Sequence, residues 1–135
     1  MTELVLDSWP IMAWLKRQPA AARVDTLLQR AARRELTLVM NIVNVGEIFY
    51  LSAKIRNFRD AQEILQGLRS RVTVVPAGDE LVLLAATLKA RNTISYADGF
   101  AAATAIVRGV PLATGDEELK ALAVNETGLQ IEWLG

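Results

Sequence analysis

The 135-residue chain contains no cysteine and no histidine. Without cysteine there is no disulfide, no thiolate nucleophile and no Cys/His zinc site. Without histidine, Ser-His-Asp and Cys-His catalysis are excluded as well. Chemistry at neutral pH must rest on carboxylates, lysine, tyrosine, hydroxyls or a bound metal. The chain also lacks an excess of either charge, because 15 Lys and Arg balance 15 Asp and Glu. A protein that simply coats phosphates is often basic, so neutrality counts against that class. It does not exclude an acidic site offset by a basic rim. No uncharged apolar run approaches the roughly 18 residues needed to cross a bilayer. "MTELVLDSWPIMAW" has no basic leading segment and carries Asp7 inside its apolar run, which makes it a poor signal peptide. The expected setting is the cytoplasm, with which the absence of cysteine is compatible, and no membrane partner is expected.

Apolar residues make up 52% of the chain, enough to build a core. The length suggests one domain over residues 1–135. Short apolar strands are expected at "ELVLD" (Glu3–Asp7), "LTLVMN", "VTVVP", "VPLAT" (Val110–Thr114) and "LQIEWL". Between them lie helical patterns. "PIMAWLKR" carries Pro10 early, where proline is tolerated. "AAARVDTLLQRAARRE" places Val24, Leu27, Leu28 and Ala31 on one face. "NVGEIFYLSAKI" is expected to start with Asn44 as N-cap, "DELVLLAATLKAR" near Gly78 or Asp79, and "ISYADGFAAATAIV" near Ser95. "DAQEILQGLRSR" and "DEELKALA" complete the set. No linker, repeat or low-complexity segment interrupts it. Alternation of this kind argues for an α/β fold, a three-layer α/β/α sandwich on a mainly parallel sheet.

Ligands of open α/β sheets bind beyond the carboxyl ends of the strands. Four acids fall at such places. Asp7 ends the first strand, Glu47 begins the helix after the second, Asp98 begins the helix leading to the fourth, and Asp116 follows the fourth. Each also has a plain structural explanation. "NVGE" and "SYAD" resemble capping boxes, an acid in a first helical turn gains roughly 0.3–1 kcal/mol from the dipole, and Asp7 and Asp116 suit turns or caps. The conjunction favours a shared site. Clustered carboxylates repel and raise one another's pKa, and a divalent cation relieves this. Oxygen-only ligands favour a hard ion, Mg²⁺ or Mn²⁺. Such an ion with open positions suits metal-assisted phosphodiester hydrolysis without a histidine base. Gly46 and Gly99 form neither a P-loop nor a G-x-G-x-x-G fingerprint. "DSW" lacks the second aspartate of D-x-D phosphoryl chemistry, which makes a receiver-like domain the weakest reading.

Other acids, such as Asp60, Glu63, Asp79 and Glu80, read as solvated helix faces, and Glu117 and Glu118 are left open as neighbours of the metal. Lys16, Arg17, Arg23, Arg30, Arg33, Arg34, Lys54, Arg56 and Arg59 suit either a solvated surface or a rim for nucleic-acid phosphates. Trp9, Trp14 and Tyr96 suit base stacking less well than core or interface packing. Gly99 would leave room beside the site, and Ala101 to Ala103 would let their helix lie close on the sheet.

Four segments, "LVLDS", "NVGEIFY", "ISYADGFAAATA" and "LATGDEEL", together resemble the acid-bearing segments of PIN-domain ribonucleases, specifically VapC-type toxins of toxin–antitoxin pairs. They occur in the family's order over nearly the whole chain. The resemblance implies a Mg²⁺- or Mn²⁺-dependent endoribonuclease with Asp7, Glu47, Asp98 and Asp116 as catalytic metal ligands, supported through hydrogen bonds by Ser8 and Thr114. Leu119 stands where the family often has an aromatic, an apolar packing change. The resemblance further implies an RNA substrate, a homodimer and a cognate antitoxin whose C-terminal segment occupies the site groove. The alternatives are a catalytically idle interaction module of the same fold, in which the acids only cap helices, and a stand-alone nuclease without antitoxin.

Overall fold

The computed structural model describes residues 2–135. In chain order the elements are β1 (Thr2–Leu6), α1 (Ser8–Leu15), α2 (Ala21–Ala32), β2 (Leu36–Asn41), α3 (Ile42–Ile55), α4 (Phe58–Arg71), β3 (Val72–Val75), α5 (Asp79–Arg91), α6 (Tyr96–Arg108), β4 (Leu112–Thr114), α7 (Glu117–Asn125) and β5 (Ile131–Trp133). Every strand and helix expected from the sequence is present. The sheet is wholly parallel, in the order β3-β2-β1-β4-β5.

Side chains alternate across a strand, and β1 shows how this divides the core. Leu4 and Leu6 point to one face, where Ile11, Met12, Val24, Leu28, Val45, Ile48 and Leu68 of α1–α4 cover them. Val5 points to the other, against the alanines of α6 and against Leu88, Leu119 and Leu122 of α5 and α7. This second layer packs closely because Ala101, Ala102 and Ala103 are fully buried and bring α6 near the strands. Leu119 is fully buried there too, so the position is filled by an aliphatic side chain.

Three expectations are corrected. Asn44 is not the cap of α3. The cap is Asn41, whose side chain accepts from the Val43 N–H. β2 runs straight into α3 with no loop, so the last strand residue doubles as the first helical cap. Glu47 therefore sits in the second turn of α3 and belongs to no capping box. Gly99 opens space for α5 rather than for the site, since a Cβ there would lie 3.0 Å from the Ala85 carbonyl oxygen. The second helix ends earlier than its composition suggests, with Arg34 in the left-handed region at φ 59°. Ser95 does cap α6, accepting from the Asp98 N–H, and Gly78 caps α5.

The chain order places the site. From β1 the sheet grows outward through β2 and β3 on one side and through β4 and β5 on the other. The two directions part between β1 and β4, and the crevice at such a switch point is where α/β sheets bind ligands.

Candidate metal centre

The pairing of Leu6 with Ala113, carried one residue on, brings Asp7 beside Thr114 at that crevice. Asp7 follows β1 directly and holds the N-cap position of α1, yet its side chain caps nothing. It is 1% exposed, and neither carboxylate oxygen has a hydrogen-bond partner. A buried, unpaired carboxylate is costly unless something compensates its charge.

Two further carboxylates converge on it. Asp98 is buried in the first turn of α6, and Asp116 is half-buried at the N-cap of α7, reached from β4 through Gly115. One oxygen from each of Asp7, Asp98 and Asp116 lies within 4.8 Å of the other two. Glu47 stands to the side of this trio. Its Oε1 accepts a hydrogen bond from the Ser8 hydroxyl, and its charge is felt at Asp98. The hydroxyl of Thr114 accepts from the Asp116 N–H, and the Asp116 carboxylate accepts from the Glu118 N–H. Asp116 is thus both a cap and a member of the cluster, whereas Asp7 is only the latter.

The electrostatics follow from burial and mutual repulsion. Burial pushes the Asp7 carboxyl well above the usual carboxylate range, the Asp98 and Asp116 charges push it further, and the nearby Thr114 hydroxyl offsets part of the rise. Asp98 is pushed up to about 7, first by burial and then by Asp116, with Glu47 and Glu118 adding to the repulsion and the Ser95 hydroxyl opposing it. No lysine or arginine pairs with these acids. Among the described residues the ion pairs are Arg33–Glu35, Arg91–Glu126 and Arg108–Glu3, all elsewhere.

The donor set fits a hard divalent cation. It is all oxygen, it carries excess negative charge, and its innermost member has two unsatisfied acceptors. Oxygens opposed across a Mg²⁺-sized ion lie about 4 Å apart, close to the span found here.

Of the four acids read from the sequence, the structure draws three together and holds the fourth nearby through Ser8. It also distinguishes Glu118 from Glu117, because only Glu118 contributes to the shift at Asp98. Two buried side chains went unremarked in the sequence. The Asn44 amide donates to the Ala97 carbonyl, tying α3 to the start of α6 one residue before Asp98. The Asn41 amide donates to Thr104 of α6. An asparagine inside a helical pattern was the available signal. Of the aromatics, Trp14 packs on the core and donates to Asp25, Trp9 packs against Gly115, and Tyr96 is exposed with its ring 4.9 Å from that of Phe100.

No helix among the described residues is long and apolar enough to cross a membrane. Comparison with curated proteins finds no match. Solved structures share the fold at low identity. A chain of VapBC2 from Rickettsia felis, bound to a DNA fragment from its promoter, superposes with a TM-score of 0.74 at 18% identity, covering 97% of this chain and 98% of that one. A chain of VapBC-1 from nontypeable Haemophilus influenzae gives 0.71 at 22% identity, with 98% of each chain covered. A chain of DNA-bound VapBC from Salmonella typhimurium gives 0.69 at 16% identity, with 100% of each covered. The family model of the PIN domain matches residues 4–125, a span that holds all four acids, and the chain belongs to the PIN domain family.

Proposed function

We propose that the chain is a divalent-metal-dependent endoribonuclease, the toxin of a toxin–antitoxin pair, acting in the cytoplasm as one nuclease domain over residues 1–135. The observation that carries the reading is the buried Asp7 carboxylate, unpaired on both oxygens and facing Asp98 and Asp116 at the sheet's switch point. Asp7, Asp98 and Asp116 would hold Mg²⁺ or Mn²⁺. Glu47, oriented by Ser8, completes the catalytic acids from the α3 side, and Thr114 fixes the loop that carries Asp116. A cation bound there supplies an acidified water and neutralises charge on the scissile phosphate. The protein's own part is to exclude solvent from Asp7, to keep Asp116 anchored at both the Thr114 and Glu118 contacts, and to hold Asp98 on the rigid start of α6. The substrate would be RNA at an unpaired segment, since the deep, narrow major groove of duplex RNA is closed to side chains.

Partners follow the same reading. An apolar groove of about 430 Å³ opens between α1, α2 and α4, lined by Ile11, Trp14, Leu15, Leu28, Ile64 and Leu68 among others. It would seat a segment of the cognate antitoxin, with Lys16, Arg17 and Arg56 along the adjoining clefts. Exposed apolar side chains such as Tyr50, Phe58 and Leu83 suit a homodimer contact. One observation favours the second reading, a catalytically idle module. Asp116 and Ser95 both make real helix caps. Asp7 makes none, and the capping account leaves it unexplained.

Cleavage of a loop-containing RNA tests the proposal. The purified protein should cut with Mg²⁺ or Mn²⁺ and stop with chelator, and Asp98→Asn should cut at least about 100-fold more slowly while staying folded. Failure of the wild type to cut, together with no calorimetric Mn²⁺ binding, would establish the idle module instead.

A further inference from the structure

Asp7 and Asp116 lie 109 positions apart in sequence, on different loops, and without a cation their charges repel. Something in the protein must hold the two loops at their working separation. The hydrogen bonds around the site do not do so directly, because they tie Ser8 to Glu47 and Thr114 to Asp116. We infer that the indole of Trp9, seated on Gly115, is the spacer between the Asp7 and Asp116 loops, and that Trp9 is a positioning residue for the metal centre. This inference rests on the metal-binding reading of the acids.

The geometry is specific. Trp9 lies two residues after Asp7, in the first turn of α1, and Gly115 is the residue between Thr114 and Asp116. Gly115 is buried and does not need glycine for its backbone, since Gly109 is the only glycine with positive φ among the described residues. Its glycine is required by space. A Cβ there would lie 2.2 Å from Trp9 Cη2 and 2.4 Å from both Cζ2 and Cζ3. Carbon atoms in contact sit about 3.5–4.0 Å apart, so the outer edge of the indole occupies the volume a side chain at residue 115 would fill. The ring therefore bears on the main chain of the Asp116 loop, and main chain is a firmer stop than a side-chain rotamer.

The far side of the ring is open. Trp9 borders a cavity of about 370 Å³ lined also by Gln18, Pro19, Ala20, Arg23 and Leu134. A displaced indole has somewhere to go, so a methyl group at residue 115 can break the contact without unfolding the protein. Trp9→Leu breaks it from the other side. Because both substitutions remove one contact, their effects on the metal site should not add.

The test measures Mn²⁺ binding by calorimetry and the metal-free thermal midpoint for wild type, Gly115→Ala, Trp9→Leu and the double variant. Gly78→Ala serves as control, because a Cβ at residue 78 meets nothing within 4 Å. Each single variant should weaken Mn²⁺ binding about tenfold or more, the double variant should be no weaker than the worse single one, and the control should bind like wild type. A merely structural contact would lower the thermal midpoint and leave Mn²⁺ affinity unchanged, and that result overturns the inference, as do additive losses. If Gly115→Ala does not fold, Trp9→Leu decides alone by the same split between affinity and midpoint. If the wild type binds no Mn²⁺, the metal reading falls, and the crystal structure of Trp9→Leu decides the spacer. A changed Asp7–Asp116 separation supports it, and an unchanged one overturns it.

Discussion

The strand β1 has an acid near each end, and the fold treats the two in opposite ways. At its start Glu3 meets Arg108, with Nε to Oε1 at 2.6 Å. Just beyond its end, Asp7 is buried with no partner at all. The same helix, α6, faces both. Its last turn brings Arg108 to Glu3, and its first turn brings a second acid, Asp98, to Asp7. Arg108 also sits at the helix end where a cation is favoured, so at that edge of the sheet the charges are settled within the protein. At the other edge they are not. The chain has 15 basic residues for 15 acids, so the deficit at Asp7 is one of placement and not of composition. A site that stays unstable unless a ligand arrives stores free energy for function.

The sharpest way to break the comparison is to remove the charge from Asp7. Asp7→Asn keeps the shape and abolishes the repulsion. Mn²⁺ affinity should fall at least about 100-fold, while the metal-free protein becomes more stable at pH 8. The two measurements, calorimetry and thermal melting, should therefore move in opposite directions. An Asp7→Asn protein that melts at lower temperature than wild type without metal would show Asp7 to be a structural anchor.

How far this was readable from the chain depends on the residue. β2 appears in the sequence with its true bounds, Leu36–Asn41, because an apolar run of that length has few alternatives. The convergence of Asp7, Asp98 and Asp116 was legible from topology alone, since acids after adjacent parallel strands must meet. Which acid would stand aside was not. That Glu47 is held off by Ser8 depends on where α3 begins, and the start was obscured by Asn41, a polar residue closing an apolar strand. Gly99 looked like clearance for the site because Asp98 is its neighbour, but successive helical residues point about 100° apart. Its open side faces Ala85 of α5 instead. The contact of Trp9 with Gly115 has no local sequence signal at all, being made across 106 positions.

A smaller effect comes with pH. Asp98 has a folded-state pKa raised to about 7 from 3.8. Between those values the folded protein binds more protons than the unfolded chain, so stability falls as pH rises. The metal-free protein should be most stable near pH 4 to 5 and lose stability progressively up to about pH 7, with Asp7 extending the loss because its carboxyl is raised for the same reason. Denaturant titrations of the chelated protein at pH 5 and pH 8 measure this. Saturating Mn²⁺ at pH 8 should reverse the loss, because binding to the folded state alone stabilises it. Equal stability at both pH values would mean that the acids are solvated or paired in solution.

The smallest effect is expected at the settled end. Glu3→Gln removes the charge that Arg108 meets, but both side chains are partly solvent-exposed, at 27% and 36%. Exposed ion pairs contribute about 0–1 kcal/mol and are screened by salt. The variant should lose no more than that in denaturant titrations, and less at high ionic strength. Mn²⁺ affinity should stay as in wild type, because Glu3 and the acid cluster lie at opposite ends of β1. This prediction separates two accounts of the sheet's acidic edge. If the acids at Asp7 are tolerated only because a strong electrostatic clamp holds α6 to β1 at the other end, loosening the clamp should let α6 move and weaken the metal site. If the tightly buried alanines of α6 hold the helix by themselves, Glu3→Gln is silent at the metal centre. The fully buried run Ala101–Ala103 against Val5 and Val39 favours the second account. Packing along that whole face outweighs one exposed ion pair.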